Sequence, residues 1–262
     1  MNIYRYMNYD EFENAYLNKC FKFRYPSVWK DSLESLFVKY ASSSSTCKKL
    51  VNLYRKQYPN TCISDIYTDI TNTVALSLQT HCQCWSTNGD SDVFWEQDKN
   101  YICLGVEYTD EYEFIDDFKI NGHNIEYIND VNIDKIVNCF EKDRRLSNLF
   151  IVKDKGEYEK EEEYRLVATP TNPKFPQDGQ PVIFDESPEC EENLIRRIAD
   201  YTNKVSKTVL CPKDVYIKLN NLEITSIRVR PDIDPNLMKK LAELLENSNT
   251  KGMLVEITPQ NK

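Results

Sequence analysis

The sequence predicts a single α+β domain, residues 1–262, with a central mixed or antiparallel sheet and helical insertions. Three observations support this. The chain has 262 residues, a length compatible with one large domain. Apolar residues alternate with period 2 in some stretches and recur at helical spacing in others. These two patterns do not follow the strict strand–helix–strand rhythm of a doubly wound sheet.

The first part of the chain contains two clear helix starts. Asn8 with Glu11, and Asp31 with Glu34, are capping residues followed three positions later by glutamate. A first helical insertion is predicted over about 31–75. The predicted strands here are 3–6, 20–25, 76–86 and 100–108. The predicted helices are 8–17, 31–41, 46–57 and 61–75, with one further helical turn at 93–97.

The second part contains a proline-rich excursion followed by a helix, together about 169–206. Asp234 and Pro235 are a cap and a first-turn proline, which predict the start of the last helix. The predicted strands are 123–128, 149–153, 163–168, 215–219, 223–230 and 253–258. The other predicted helices are 110–117, 132–147 and 191–204.

Composition excludes several kinds of protein. The formal charge is −9, so duplex nucleic acid and anionic membranes are not expected partners. No window of about 18 apolar residues predicts a membrane helix, and the first residues do not resemble a signal peptide. We therefore expect a cytoplasmic protein whose nine cysteines are mostly buried free thiols.

Known cofactor and metal motifs are missing from the sequence. The chain has six glycines and neither a G-x-G-x-x-G nor a G-x-x-x-x-G-K-[ST] motif. The tightest His/Cys cluster, residues 81–84, has no second pair with zinc-ligand spacing, so we expect no metal. Two histidines in the whole chain also give no support to Ser/His/Asp or Cys/His catalysis.

The acidic run 153–165 allows two interpretations. The plain one is a solvated loop that leads into a strand. The sharper one starts from Glu161 and Glu163, which would share a face at the start of a strand. Two carboxylates side by side repel each other unless a cationic centre lies between them. A substrate that develops positive charge would supply that centre.

Two other short motifs also carry alternatives. Arg5 lies between Tyr4 and Tyr6 in the first strand. It is either an edge arginine or carboxylate partner, or a forked donor for a phosphate or carboxamide. Trp85 and Ser86 end a buried strand. They are either a core tryptophan with a turn hydroxyl, or a hydroxyl that orients a ligand held against aromatic rings.

Taken in order, these motifs resemble the bacterial family called domain of unknown function 2971. The likeness covers nearly the whole chain. Its motifs are YRY at 4–6, FRYPSVWKDSLE at 23–34, CWS at 84–86, FW at 94–95, ICLGVEY at 102–108, EEEYRLV at 161–167 and IKLNNLEITSIRVRP at 217–231. The chain departs from the family pattern at 30–32, where KDS replaces N-D-P, and at 94–95, where only FW remains of M-W-x-x-Y. It therefore resembles a divergent member.

The order of the motifs also resembles, more distantly, the ADP-ribosyltransferase fold. In that group an early strand brings Arg or His, a middle strand an aromatic or Ser motif, and a late strand Glu, often as E-x-E. The resemblance implies Arg5, Ser86 and Glu163 as a triad, with Glu161 as the second carboxylate.

The same resemblance implies NAD as substrate and an oxocarbenium-like centre at the bond between nicotinamide and ribose. Glu163 would stabilise that charge and Glu161 would act as base. Arg5 would bind phosphate and Ser86 would support the site. An aromatic ring from Tyr4, Tyr6 or Trp85 would stack on nicotinamide.

Two functions follow as hypotheses. The first is an NAD-consuming ADP-ribosyltransferase or NAD glycohydrolase of the toxin or phage-defence kind, whose macromolecular acceptor the sequence does not identify. The second is a non-enzymatic protein-binding or regulatory module on the same scaffold, favoured by the diverged middle motifs and the acidic, tyrosine-rich composition. A weaker third is nucleic-acid binding through the arginine pairs 144–145 and 196–197, against which the net charge argues.

Overall fold

A computed structural model gives the structure over most of the chain. The described residues are 1–26, 35–96, 101–109, 113–129, 132–135, 149–176, 188–208, 210–220, 222–246 and 254–256. They form a mixed α+β fold with a mostly antiparallel sheet, which confirms the predicted class.

Twelve strands lie within the described residues. They are β1 (Asn2–Met7), β2 (Cys20–Arg24), β3 (His81–Ser86), β4 (Ile102–Tyr108), β5 (Glu113–Ile115), β6 (Phe118–Asn124), β7 (Glu126–Ile128), β8 (Val152–Asp154), β9 (Glu163–Pro170), β10 (Asp214–Lys218), β11 (Leu222–Val229) and β12 (Leu254–Glu256). The main sheet has the order β12-β11-β4-β1-β3-β9-β6-β5, while β10 pairs with β2 and β7 pairs with β8.

Eight α-helices accompany these strands in the described part of the chain. They are α1 (Tyr9–Asn18), α2 (Leu36–Ala41), α3 (Ser44–Gln57), α4 (Ile63–Ser77), α5 (Asp92–Trp95), α6 (Lys155–Tyr158), α7 (Pro188–Ser206) and α8 (Pro235–Glu246). A single 3-10 turn, Glu159–Glu161, joins α6 to the start of β9.

Each face of the sheet is covered by its own apolar core. On one face, α1 and α8 pack against the sheet; Phe12, Trp85 and Leu241 belong to this core. On the other face, α2, α3, α4 and α7 form a helical layer around Ile70, Val167 and other apolar residues. Both predicted insertions therefore contribute helices, and these helices pack on the same side of the sheet.

Local sequence signals set several element boundaries. The side chain of Asn8 accepts a hydrogen bond of 2.9 Å from the backbone N–H of Glu11, so the predicted cap forms. The carboxylate of Asp234 caps α8 in the same way, through the N–H of Asn236 at 2.7 Å. The predicted cap at Asp31 lies outside the described residues, as does most of the helix predicted over 132–147.

Three local predictions were wrong. The strand predicted over 123–128 is the end of β6 followed by β7, which pairs with β8 in a separate sheet. The strand predicted from residue 76 begins at His81, because Val74 and Leu78 continue the apolar stripe of α4, with spacing of four residues. The helix predicted over 110–117 is instead a hairpin of β5 and β6 over its described part, 113–117. Asp116 turns the chain with a φ of 51°, a left-handed conformation that ends regular structure.

One edge of β3 is shared by two strands. β1 pairs with it only at Tyr4 and Ser86, and β2 only at Arg24 and Cys82. The other edge of β3 pairs with β9 along its whole length. The sheet therefore divides beside β3, and the candidate site lies where β1, β3 and β9 meet.

Close packing on β6 makes Gly122 sensitive to substitution. A Cβ atom there would lie 2.1 Å from Oη of Tyr164 and 2.8 Å from a ring carbon of Tyr108. We predict that Gly122→Ala lowers the free energy of unfolding by about 1–3 kcal/mol, the usual range for overpacking. Urea denaturation measures this. Gly156→Ala is the control, because its Cβ would meet only ordinary contacts; equal losses in both variants would contradict the packing.

Candidate functional site

Three neighbouring strands carry the predicted site residues. In the registers of β1, β3 and β9, Tyr4 lies opposite Ser86 and Ser86 lies opposite Glu163. Directly paired residues of antiparallel strands point to the same face of a sheet. Tyr4, Ser86 and Glu163 therefore form one row across three strands, although they are far apart in sequence.

Strand parity divides the predicted residues between the two faces. Tyr6 shares the face of Tyr4, Ser86 and Glu163, because it lies two residues from Tyr4. Arg5 points to the opposite face, where it lines a cavity with Met7 and Gln83. The structure therefore does not place the Arg5 side chain beside those of Ser86 and Glu163.

Trp85 also lies on the face of Arg5. It is buried in the core beneath α1, its ring lies 5.6 Å from that of Phe21, and its indole N–H donates to Gln83 at 2.9 Å. This arrangement matches the alternative of a core tryptophan and leaves none of its ring facing the row.

The main feature of the row is a buried ion cluster, defined as Lys153, Glu161, Glu163 and Arg165. Nζ of Lys153 lies 2.8 Å from Oε2 of Glu161 and 2.7 Å from Oε2 of Glu163. Nε of Arg165 donates to Oε1 of Glu163 at 2.8 Å. Both oxygens of Glu163 thus contact a cation, and Lys153 lies between the two carboxylates.

Burial differs sharply within the ion cluster. The side chains of Glu163 and Arg165 are 1% and 0% exposed, whereas that of Glu161 is 16% exposed. A guanidinium hydrogen of Arg165 also donates to the carbonyl of Phe150. Two positive and two negative charges offset each other, so the cluster carries no net charge into the interior.

Burial raises the pKa of each carboxyl group in the ion cluster, whereas the neighbouring cations lower it. Burial alone would raise the pKa of Glu163, but Arg165 and Lys153 together lower it to about 2. Burial raises the pKa of Glu161 above its ordinary value, because Lys153 compensates only in part. Burial opposes the charge of Lys153, yet the pull of Glu163 keeps the pKa of Lys153 above its ordinary value.

Side chains from β7, α6 and β3 hold the ion cluster in position. The phenol oxygen of Tyr127 accepts a hydrogen bond of 2.7 Å from the backbone N–H of Glu163. The Tyr158 ring lies 4.6 Å from Nζ of Lys153, in a cation–π contact. The hydroxyl of Ser86 donates to the carbonyl of Glu161 at 3.0 Å. Ser86 therefore fixes the backbone of the turn that carries Glu161.

The segment 87–96, which we call the strap, follows β3 and contains α5. The hydroxyl of Tyr6 donates to the carbonyl of Asn88 at 2.9 Å and accepts from the N–H of Ser91 at 2.9 Å. The rings of Phe94 and Trp95 lie 5.2 and 4.8 Å from the Tyr6 ring. Tyr6 thus holds the strap on the sheet, and its hydroxyl both donates and accepts a hydrogen bond within the protein.

A separate cleft opens on the face of Arg5, where the sheet divides. Two adjacent cavities of about 140 and 150 Å³ share Arg5, Glu11, Lys22 and Gln83 as lining residues. Nη1 of Arg5 donates to the carbonyl of Cys84 at 2.5 Å, which holds the guanidinium at the free part of the β3 edge.

The structure therefore brings Glu163, Ser86, Tyr4 and Tyr6 to one face of the sheet and places Arg5 and Trp85 on the other. The prediction that Glu161 shares a strand face with Glu163 is wrong, because Glu161 lies in the 3-10 turn before β9 and is joined to Glu163 through Lys153. Sequence reasoning missed the roles of Lys153, Arg165 and Tyr127. Arg165 had a signal, because it lies two residues after Glu163 in the same strand and so shares its face. No sequence signal pointed to Tyr127, because only the three-dimensional fold brings β7 close to the start of β9.

Comparisons with protein-family models, with curated proteins and with solved structures gave no match. Within the described residues, no group of three or more His, Cys, Asp or Glu side chains is arranged to hold a metal ion. Over the same residues, no helix combines the length and apolar character needed to cross a membrane.

The ion cluster predicts how stability depends on pH. The folded-state pKa of Glu163 lies below the unfolded value of about 4.3, so its contribution is complete above that value and is lost as the pH falls towards about 2. Burial raises the pKa of Glu161, so this residue contributes in the opposite sense in the wild type. We predict a shallower acid limb of the unfolding free energy for Glu163→Gln than for the wild type.

At neutral pH, Glu163→Gln should lower the unfolding free energy by about 3 kcal/mol, because it leaves buried cations without their partner. Denaturant titrations between pH 3 and pH 7 measure both effects. Glu159→Gln is the control, since Glu159 is exposed and its ion pair within the described residues is the exposed contact with Lys155 at 3.4 Å. Parallel acid limbs in the wild type and Glu163→Gln would contradict this account of the cluster.

Proposed function

We propose that the protein is an ADP-ribosyltransferase-like enzyme that consumes NAD, either as a transferase or as a glycohydrolase. The observation that carries this proposal is the row Tyr4–Ser86–Glu163 across β1, β3 and β9. The resemblance implied an early, a middle and a late strand that together form the site. These three strands are direct neighbours, and the E-x-E glutamates lie at their common end.

Glu161 is the carboxylate best suited to face a ligand. Its side chain is partly exposed and, within the described residues, forms an ion pair with Lys153, whereas both oxygens of Glu163 already contact cations. In this proposal Glu161 stabilises the oxocarbenium-like ribose carbon as nicotinamide leaves. Glu163 acts as a positioning residue, because it holds the ammonium group of Lys153 against Glu161.

Tyr4 and Ser86, the other two residues of the row, have supporting roles in this proposal. Tyr4 offers a partly exposed ring for stacking on a planar group. Ser86 holds the carbonyl of Glu161 and so supports the turn that presents the carboxylate. The acceptor of ADP-ribose in this proposal is either water or a macromolecule that arrives at the same edge.

A second candidate is a non-enzymatic protein-binding or regulatory module on the same scaffold. The observation that favours it is that both carboxylate oxygens of Glu163 already contact cations, Lys153 and Arg165. In addition, Arg5 points to the other face of the sheet. In this alternative the ion cluster only stabilises the end of β9, and no carboxylate acts on a substrate.

Nicotinamide release from NAD tests the two candidates. We predict release by the wild type, measured by chromatography with and without cell lysate, and a loss of about 10²–10³-fold in Glu161→Gln. Glu162→Gln is the matched control, because Glu162 is the exposed glutamate between the other two and should retain activity.

Thermal unfolding of Glu161→Gln checks that the variant is folded at the assay temperature, because the substitution removes one carboxylate from the buried ion cluster. Absence of release by the wild type under all conditions would contradict the enzyme and favour the binding module. Equal activity of Glu161→Gln and Glu162→Gln would remove Glu161 from the mechanism.

A further inference from the structure

The strap lies on the same sheet face as the row, over β1, β4 and β11. In the strand registers Tyr4 is opposite Gly105, and Gly105 is opposite Ser226. In the same way, Tyr6 of β1 and Arg228 of β11 both lie opposite Cys103 of β4. This face therefore continues from Glu163 and Ser86 to Arg228.

Arg228 is an arginine outside the ion cluster that shares a face with Ser86 and Glu163, whereas Arg5 does not. Its guanidinium carbon lies 5.5 Å from the centre of the Tyr4 ring, in a cation–π arrangement. A ring beside a fixed guanidinium is a pair of groups suited to a nucleotide, which has a planar base and an anionic phosphate.

The strap occupies this pair. The carboxylate of Asp90 lies 2.8 Å from Nη1 of Arg228. Gly89 lies against the same two side chains: a Cβ atom there would be 2.7 Å from Nη1 of Arg228 and 2.8 Å from a carbon of the Tyr4 ring. Only glycine lets the strap approach so closely.

The fit of the strap to the face is incomplete. Ser91 is 3% exposed, and its hydroxyl has no hydrogen-bond partner among the described residues. A buried hydroxyl without a partner costs stability. The Asp90 side chain is 63% exposed and that of Arg228 is 24% exposed, so an anion from solvent can reach their contact.

We propose that the strap is a displaceable cover over a nucleotide-binding groove, and that a nucleotide phosphate replaces the Asp90 carboxylate on Arg228. The planar group of the nucleotide then stacks on Tyr4 in the space that Gly89 fills. This inference extends the proposed function, because it names the cation and the ring that hold the substrate. The backbone N–H of Thr87 donates to the carbonyl of Glu162 at 2.9 Å, so the strap is also joined to the turn beside Glu161.

Calorimetric titration of the full chain with ADP tests the competition. Asp90→Asn should bind ADP about two- to fivefold more tightly than the wild type, which corresponds to the loss of one exposed competing ion pair. Asp92→Asn is the matched control: it removes the same charge two residues along the strap, at an exposed aspartate outside the described ion pairs. It should leave the affinity for ADP unchanged.

Arg228→Gln should weaken ADP binding by about tenfold or more, because a charged hydrogen-bond donor is lost. Arg196→Gln, on the exposed surface of α7, is the control for the loss of an arginine. Equal affinities of Asp90→Asn and Asp92→Asn, unchanged binding by Arg228→Gln, or no binding by any variant would each overturn the inference. If the affinities for ADP change as predicted in these variants but the wild type releases no nicotinamide, the nucleotide-binding groove is supported. That result would contradict only the proposed catalysis.

Discussion

The contact of Lys153 with both Glu161 and Glu163 is the interaction on which the candidate site depends. Two ionised carboxylates packed side by side in an interior repel each other unless a cation lies between them. Here the chain supplies that cation itself, from β8, while Arg165 neutralises the remaining oxygen of Glu163. The cluster fixes the start of β9 against β3, and through Ser86 it also fixes the turn before it. The position of Glu161 at the surface is a consequence of this buried arrangement.

The two faces of the sheet have different chemistry around this cluster. One face carries the row of Tyr4, Ser86 and Glu163, together with the strap and Arg228. The other carries Arg5 and the divided edge of β3, where a cleft opens between β1 and β2. A one-residue step along β1 separates these two environments, because successive side chains of a strand point to opposite faces. Arg165 and Arg228 therefore lie on the face of the row, whereas Arg5 lies on the other.

Much of the fold could be predicted from the sequence, because caps and apolar periodicity are local signals. Asn8 and Asp234 predicted the starts of α1 and α8, and the strand predicted over 163–168 lies within β9. The hairpin at 113–117 was missed, because it depends on the left-handed turn at Asp116. At the site, the sequence analysis assigned the cation between the glutamates to a substrate, whereas in the structure Lys153 lies between them. Lys153 could not be identified, since strand order and register, which are long-range properties, bring it to Glu163.

A double-mutant cycle between Lys153→Met and Glu163→Gln tests the central claim most directly. Unfolding free energies of the wild type, both single variants and the double variant are measured in urea at neutral pH. If Lys153 is the internal partner of Glu163, the two substitutions are not additive, with a coupling energy of about 1–3 kcal/mol. Additivity within about 0.5 kcal/mol would show that the two charges act independently, and would contradict the account.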